Sequence, residues 1–260
     1  MIAGCKKIRQ DILRISHTSG HGHIPTCFSI VEILYAVYNV MKHDPRNPAW
    51  DERDYFILSK GHASLALYCT LSHYGYFQLE RVNSFGSFQS DFGCHADRLK
   101  IPGIEASTGS LGHGIALAVG VAMAFKLKKT NRRVYTVIGD GEANEGTVWE
   151  AIQVADSLCL DNMTVIYDNN LSHSRGLQVK QPEKKLEAFG CEVLIVDGHQ
   201  VEALKEALGI TSNGVKAIVA NTVKGYGCPT LAQAHYEWHR KSPDRDHLNI
   251  LLEELDASSV

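Results

Sequence analysis

The amino-acid sequence predicts an α/β fold of three layers, in which a mainly parallel sheet carries helices on both faces. Short apolar runs of strand length alternate with helix-length segments along the chain, as in such sheets. Two runs, Val134–Ile138 and Met163–Tyr167, flank a helical segment from about Glu145 to Leu158. A strand, a helix and a strand in this order form a right-handed crossover between parallel strands. Because 260 residues can bury one large core, we expect a single domain over 1–260.

The elements before this central unit follow from the spacing of apolar residues. Isoleucines recur at helical spacing in residues 3–17, and a second amphipathic helix begins at Ser29, where Ser29 and Glu32 resemble a capping box. The predicted elements are helices at 3–17, from Ser29 to about Met41, from Ala63 to about Tyr74 and at Ile115–Lys128, and a strand at Asp54–Ser59. Polar or irregular loops are predicted at 42–53 and 79–98.

The same alternation continues after the central unit. The predicted elements are helices at Val179–Gly190, Val201–Leu208 and Asp244–Leu255, and strands at Glu192–Val196 and Lys216–Asn221. The segment Cys228–Glu237 is predicted as a mobile loop. The last five residues are expected to fray.

Composition and charge exclude several classes of function. The chain is 44% hydrophobic and 21% charged, as soluble globular proteins are. A net charge of −3 predicts no surface for nucleic acid or an anionic membrane, and the longest apolar run, Ile115–Phe125, is too short to cross a bilayer. Seven cysteines without CxxC spacing indicate reduced thiols, and the N-terminus has no apolar signal segment. We therefore expect a cytoplasmic protein.

Polar residues follow both strands of the central unit. Gly139, Asp140 and Gly141 end the first strand, and the second ends in Asp168-Asn169-Asn170. The two strand ends lie at one edge of a parallel sheet, where open α/β sheets bind their ligands. One carboxylate, one amide oxygen and a main-chain carbonyl suit Mg²⁺ or Ca²⁺. A GDG sequence alone is usually a simple turn, and its pairing with Asn169-Asn170 is what favours a metal site.

Two further glycine-rich junctions are candidate sites. His62 follows the strand at Asp54–Ser59, where Gly61 permits close approach of a ligand. The segment Ser107–Gly114 opens a helix rich in glycine and alanine, and the free N–H groups at such a helix start favour an anion. The same helix is also consistent with a tightly packed core element. Two histidines, His21 and His23, lie in a glycine-rich loop and are by themselves expected to be surface residues.

Taken together, these motifs resemble those of one enzyme family. GDG followed by NN resembles the thiamine diphosphate motif. Seven motifs occur in one order and resemble the N-terminal part of transketolase: SGH at 19–21, ILSKGH at 57–62, CH at 94–95, PGIEASTGSLGHG at 102–114, GDGEANEG at 139–146, YDNN at 167–170 and WHRKSP at 238–243. The resemblance implies a thiamine diphosphate-binding fold, with this chain as its diphosphate-binding domain.

The resemblance also implies a cofactor site. The cofactor would be thiamine diphosphate, held by Mg²⁺ or Ca²⁺. The implied metal ligands are Asp140, Asn170 and the main chain of Ser172. The implied cofactor-binding residues are His62, Gly109, Leu111, Gly139, Asp140, Gly141 and Asn170.

The resemblance to transketolase also implies catalytic roles for residues of this chain. His62 would contact both the diphosphate and the substrate. The resemblance implies that His21, His95 and His239 face the ketose donor and move protons, and that Glu145 is a buried acid at a subunit interface. A histidine suits this work because its imidazole titrates near neutral pH. The carbanion formed on C–C cleavage is stabilised by the cofactor.

The chain departs from the family pattern near the expected cofactor and substrate. His113 stands where a glutamine is usual, and Arg175 where an acid is usual. Ala96 follows His95 in place of proline, and Arg240 follows His239 in place of glycine. These departures predict an altered donor or acceptor sugar.

The resemblance ends before two of the family's domains, the pyrimidine-binding and C-terminal domains. We therefore expect a split transketolase, active only with a partner chain that carries both domains, as an α₂β₂ assembly. Tyr226, Tyr236 and Trp238 are expected near the interface. The expected reaction moves a two-carbon ketol unit from a ketose (phosphate) to an aldose (phosphate), and the sequence does not identify the sugars.

Two other functions stay open at this stage. One is that of a different thiamine diphosphate enzyme, of which this chain would be one subunit. Examples are a 2-oxo-acid decarboxylase and an acyloin-forming synthase, and specialised sugar biosynthesis is one setting for such an enzyme. Arg175 and His113 leave room for it, whereas His62 and His239 argue against it. The other is a non-catalytic remnant that binds the cofactor, which the intact metal ligands argue against.

Overall fold

The computed structural model describes residues 1–258, and a single five-stranded sheet forms its centre. Every neighbouring pair of strands is parallel, in the order β1-β2-β3-β5-β4. The strands are β1 Tyr55–Leu58, β2 Val134–Gly139, β3 Met163–Asn169, β4 Glu192–Asp197 and β5 Lys216–Asn221. The predicted parallel sheet is confirmed, and the predicted neighbours β2 and β3 are paired.

Helices cover both faces of this sheet. They are α1 Ala3–Ser19, α2 Ile24–Phe28, α3 Val31–Val40, α4 Ser64–His73, α5 His113–Leu127, α6 Gly146–Ser157, α7 Pro182–Ala188, α8 Val201–Gly209, α9 Pro229–Gln233 and α10 Arg245–Ala257. Short 3-10 turns occupy Gly61–Ala63, Leu79–Ser84, Glu142–Asn144 and Glu237–His239. Within residues 1–258, no helix combines the length and the apolar character needed to cross a membrane.

Two hydrophobic cores form, one on each face of the sheet, because successive side chains of a strand alternate between the faces. On β1, Phe56 and Leu58 pack with α1 to α4, whereas Ile57 packs on the other face with α5 and α6. On β3, Ile166 belongs to the first core and Val165 to the second. Successive side chains of a strand point to opposite faces, so each strand contributes to both cores. The three predicted layers are therefore present.

The capping box predicted at Ser29 is wrong. The hydroxyl of Ser29 donates to Asp168 at 2.8 Å, and Glu32 pairs with Arg9 at 2.5 Å. Both side chains are therefore used in contacts between elements that are distant in the sequence. The third helix begins at Val31 instead, after the separate short helix α2.

The C-terminal segments also differ from their prediction. The predicted loop Cys228–Glu237 contains α9, and Cys228 and Leu231 within it are fully buried. The helix predicted from Val179 begins only at Pro182. The last helix continues to Ala257, and of the five residues expected to fray, residues 259 and 260 lie outside the described chain.

Candidate functional site

A cleft of about 600 Å³ opens where the parallel strands end. Most of the predicted site residues line it, namely His62, His95, Gly109, Leu111, Gly139, Asp140, Gly141, Asn170, Ser172 and His239. Residues that the sequence analysis did not assign to the site also line it, including His23, Thr26, Lys60, Glu142, His173 and Lys224. The structure thus brings together residues from four strand ends and several loops.

Ser172 joins the two predicted metal ligands at the centre of the cleft. Its hydroxyl donates to Oδ1 of Asp140 at 2.5 Å, and its main-chain N–H donates to Oδ1 of Asn170 at 3.1 Å. The register of the sheet explains this proximity, because Gly139 on β2 lies beside Asp168 on β3. Asp140 and Asn170 are 1% and 6% exposed, so their oxygens are held in a dry, fixed arrangement.

The amide of Asn170 has a defined orientation. Its Nδ2 donates to Oδ2 of Asp168 at 2.8 Å and to the hydroxyl of Ser29 at 3.2 Å. The carboxylate accepts only, so the amide nitrogen must face it and Oδ1 is left on the side of Ser172. One carboxylate and one amide oxygen converging on Ser172 form the hard oxygen donor set that Mg²⁺ or Ca²⁺ prefers. The residues present therefore fit a divalent cation whose remaining ligands come from a phosphate.

A buried ion pair that the sequence analysis missed supports this arrangement. Nζ of Lys60 lies 2.5 Å from Oδ2 of Asp168, and their side chains are 1% and 0% exposed. Lys60 directly precedes Gly61-His62 in the motif that was assigned to His62 alone. The pair joins the end of β1 to β3, although the two residues are 108 positions apart in the chain. Asp168 is thereby held where it orients Asn170.

Three histidines form a group in the cleft lining. The ring centroids of His23 and His239 are 5.1 Å apart, and that of His62 is 5.6 Å from His23. Burial lowers the pKa of His23 and of His239 to about 4, with Arg240 and Lys224 among the charges that add to the effect. Burial likewise holds the pKa of His62 well below its usual range. All three are therefore neutral near pH 7 in the ligand-free chain, able to accept protons.

Lys224 brings a second buried cation into the cleft. It is 5% exposed, and its Nζ lies 3.4 Å from Nδ1 of His239. Burial and the nearby charge of Lys60 lower the pKa of Lys224 to about 8, although Asp140 and Asp168 oppose them. An ammonium held this way is costly to bury without an anion. An anionic ligand in the cleft would offset this cost.

Side chains of the protein bond two N–H groups at the start of α5, where the sequence suggested an anion site. Buried Glu142 accepts the N–H of Gly112 at 2.8 Å, and the hydroxyl of Ser59 accepts the N–H of Ile115 at 2.9 Å. Glu142 also accepts from Gly139 at 3.2 Å, so it ties the GDG turn to the helix start. Burial raises its pKa, and the hydrogen bonds it accepts oppose that shift. Two N–H groups at this helix start are therefore already bonded by side chains, and an anion there remains a prediction.

The glycines of the cleft permit close packing. A Cβ atom on Gly109 would lie 3.1 Å from the ring of His95, and one on Gly141 would lie 2.7 Å from the ring of His173. Both glycines therefore let a histidine approach the backbone at the cleft wall.

Comparison with known proteins decides the family. Residues 5–252 match the family model for the transketolase thiamine diphosphate-binding domain. The chain belongs to the transketolase family. The resemblance drawn from the sequence motifs is confirmed, and so is the fold class it implied.

Two curated transketolase subunits are similar over most of their length. One belongs to the apulose-4-phosphate transketolase of Actinobacillus succinogenes and is 37% identical over 96% of this chain and 94% of its own length. The other belongs to the 6-deoxy-6-sulfo-D-fructose transketolase of Clostridium sp. and is 39% identical over 80% of this chain and 79% of its own length. The prediction of a thiamine diphosphate-dependent transketolase subunit is confirmed, and a decarboxylase or acyloin-forming synthase is not favoured.

A solved structure gives the same fold. The transketolase of Campylobacter jejuni superposes with a TM-score of 0.90 at 29% identity, and the match covers 98% of this chain. It covers 43% of that transketolase, so this chain spans less than half the length of the solved protein.

Two residues to which the resemblance assigns catalytic roles lie outside the cleft lining. His21 lies behind it, with Nε2 at 3.2 Å from the carbonyl of Gly86 and Nδ1 at 3.5 Å from Sγ of Cys94. Glu145 is exposed at the start of α6, whereas Glu142, three positions earlier, is the buried acid of this segment. The roles assigned to His21 and Glu145 stay predictions.

Only some of the residues that depart from the transketolase pattern line the cleft. Arg175 and Arg240 line the cleft, and the guanidinium of Arg175 lies 4.2 Å from the ring centre of Tyr236. His113 is exposed at the start of α5 and is not among the lining residues. Trp238 is buried in the first core, and its place near an interface stays a prediction.

Proposed function

We propose that this chain is the cofactor-binding subunit of a split transketolase. It binds thiamine diphosphate through Mg²⁺ (or Ca²⁺) and takes part in moving a two-carbon ketol unit from a ketose phosphate to an aldose phosphate. The observation that carries the proposal is the convergence of Asp140 and Asn170 on Ser172 at adjacent strand ends. The whole chain, 1–260, serves as the diphosphate-binding domain.

The residues of the cleft take separate roles in this proposal. Asp140, Asn170 and the main chain of Ser172 hold the divalent cation, while His62 and Lys224 lie against the diphosphate. Thiamine diphosphate, when bound, supplies the stabilisation of the carbanion. The neutral imidazole of His239 accepts a hydroxyl proton from the donor sugar, and its low pKa favours the return of that proton. His21 and His95 hydrogen bond the remaining hydroxyls of the donor.

A partner chain completes the enzyme in this proposal. It carries the pyrimidine-binding and C-terminal domains, and two chains of each kind form an α₂β₂ assembly in which Glu145 becomes buried. Exposed apolar side chains on α5, on α6 and at the residue that follows α6 support a face that a partner covers; they are Leu117, Met123, Leu127, Val154 and Leu158. Two relatives are themselves named as single subunits of apulose-4-phosphate transketolases, which supports the same division.

The substrate class and the compartment follow from charge and thiol chemistry. Arg175 and Arg240 also line the cleft, and neither is assigned to Asp168 or to the diphosphate, so their charge supports phosphorylated sugars as substrates. All seven cysteines are free thiols, which supports the cytoplasm as the compartment.

The test is turnover of xylulose 5-phosphate with an aldose phosphate, followed by mass spectrometry of the sugars. The chain with its partner should form the ketose that is two carbons longer than the acceptor, and the chain alone should form none. Turnover by the isolated chain would refute the split site. Release of carbon dioxide from pyruvate without ketol transfer would instead favour the decarboxylase alternative.

A further inference from the structure

The turn after β5 places Lys224 in the cleft. This strand ends at Asn221 on the same edge of the sheet as β2 and β3, and the chain then turns through Val223–Tyr226. No carboxylate of residues 1–258 lies within hydrogen-bonding distance of the Lys224 ammonium, in contrast to Lys60. A long, flexible lysine side chain would reach water unless its backbone were fixed. The position of Lys224 therefore depends on what holds this turn.

His199, which follows β4, contacts the turn on both sides of Lys224. Its Nε2 accepts the N–H of Val223 at 2.8 Å, and its ring stacks on that of Tyr226 with centroids 3.5 Å apart and planes 8° apart. Val223 precedes Lys224 and Tyr226 follows Gly225, so one imidazole fixes both ends of a four-residue segment. His199 itself is not among the residues that line the cleft.

His199 is in turn held by a buried ion pair. Its Nδ1 lies 3.0 Å from Oε2 of Glu32, which pairs with Arg9 at 2.5 Å. Because Nε2 accepts from the backbone, Nδ1 must carry the proton and donate to Glu32. Burial opposes ionisation of Glu32, but the charge and hydrogen bonds of Arg9 prevail and lower its pKa to about 2. Glu32 is thus a permanent acceptor that fixes the imidazole ring.

The turn has other anchors that keep it folded. The N–H of Gly225 donates to the carbonyl of Pro25 at 3.0 Å, and the N–H of Tyr226 donates to the carbonyl of Val223 at 3.0 Å. Replacement of His199 should therefore loosen the turn without unfolding the chain.

We propose that His199 is a positioning residue, which holds the Val223–Tyr226 turn so that the Lys224 ammonium stays in the cleft, against the diphosphate of the cofactor. The proposal rests on the proposed function for the identity of the anion. The placement of Lys224 in the ligand-free chain does not depend on it.

The first test measures the accessibility of Lys224 in the ligand-free full chain. After brief acetylation, peptide mass spectrometry should show that Lys224 is modified about tenfold faster in His199→Ala than in the wild type. This factor corresponds to the loss of roughly one hydrogen bond. His43→Ala is the matched control, because His43 also stacks on a tyrosine and bonds through both ring nitrogens but lies in the loop after α3. It should leave the labelling of Lys224 unchanged. An equal rate in the wild type and His199→Ala would overturn the proposal.

The second test follows binding of thiamine diphosphate with Mg²⁺ to the chain and its partner by calorimetry. His199→Ala should raise Kd about tenfold when Lys224 is present, and should add nothing in a Lys224→Met background. Equal losses in both backgrounds would indicate a merely structural role and would overturn the proposal. Absence of binding by the wild type would refute the proposed function instead, and the labelling result would still decide the role of His199.

Discussion

At the scale of single residues, Asp168 is the buried charge on which the candidate site depends. Its carboxylate accepts from Lys60, from the hydroxyls of Ser29 and Thr222, and from the amide of Asn170. The sequence analysis located this strand end and named Asn170 as a metal ligand, but it assigned no role to Asp168. Nothing in the sequence marks which of the three polar residues at 168–170 point inward. Three of these partners, Lys60, Ser29 and Thr222, come from segments that are distant in the sequence, so only the fold could reveal their contacts.

Removal of Lys60 should destabilise the chain strongly. Lys60→Met leaves the Asp168 carboxylate buried without its cation, and breaking a buried pair in this way costs about 3–5 kcal/mol. Lys126→Met is the matched control, because Lys126 pairs with Asp161 at 2.9 Å on the surface, where such a pair contributes less than about 1 kcal/mol. Urea unfolding of the two variants measures both changes. Equal effects of the two substitutions would contradict the account.

The buried histidines predict how stability depends on pH. In the folded, ligand-free chain the pKa of His23 and of His239 is about 4, below the ordinary value of 6.5. Between these pH values the unfolded chain binds more protons, so the free energy of unfolding should fall as the pH drops from 6.5 towards 4. Denaturant titrations at several pH values should give a shallower fall for His239→Gln. An unchanged slope would show that folding does not lower the pKa of His239.

At the scale of elements, the central unit followed the sequence closely, because a β-branched run bounded by glycine has few alternative structures. The strand predicted at Val134–Ile138 is observed at Val134–Gly139, and the one predicted at Met163–Tyr167 continues to Asn169. The errors lie where long-range contacts decide the local structure. Glu32 pairs with Arg9 rather than capping its own helix, and α9 forms where Thr230 bonds Glu254.

Two glycines of α5 should respond to substitution in opposite directions. A Cβ on Gly114 would lie 2.5 Å from Cα of Ser59, whereas one on Gly120 would meet nothing within 4 Å. Gly114→Ala should therefore lose about 1–3 kcal/mol through overpacking, and Gly120→Ala should gain about 0.5–1 kcal/mol through its helix propensity. Urea unfolding of the isolated chain measures both. A gain in stability for Gly114→Ala would contradict the close approach of α5 to the strand end.

At the scale of the whole molecule, the sequence located the cleft but not all of its residues. The predicted ligands Asp140 and Asn170 are recognisable because they follow two strands of one crossover unit. His23, Lys60 and Lys224 reach the same cleft from segments far apart in the chain, and although Lys60 belongs to the ILSKGH motif, no local pattern shows that these side chains line a cleft. Their roles depend on burial, which only the assembled fold supplies.

The assembly predicts a defined mass in solution. Co-expression with the partner chain should give a complex, because the cofactor would otherwise leave its pyrimidine half in water, and the proposed assembly contains two chains of each kind. Light scattering coupled to size-exclusion chromatography measures this mass. A mixture that elutes as two separate species, with thiamine diphosphate and Mg²⁺ present, would contradict the proposed assembly.

The most direct measurement is calorimetric titration of thiamine diphosphate into the chain with its partner, with Mg²⁺ or with a chelator. We expect saturable binding that needs the metal, and a loss of roughly 10²-fold or more in affinity for Asp140→Asn, since even partners outside the ligand shell are worth 10–100-fold. Asp161→Asn, at the exposed pair with Lys126, is the control and should bind as the wild type does. Binding that is indifferent to the metal, or unchanged in Asp140→Asn, would contradict the claim that Asp140 and Asn170 hold the cation that anchors the cofactor.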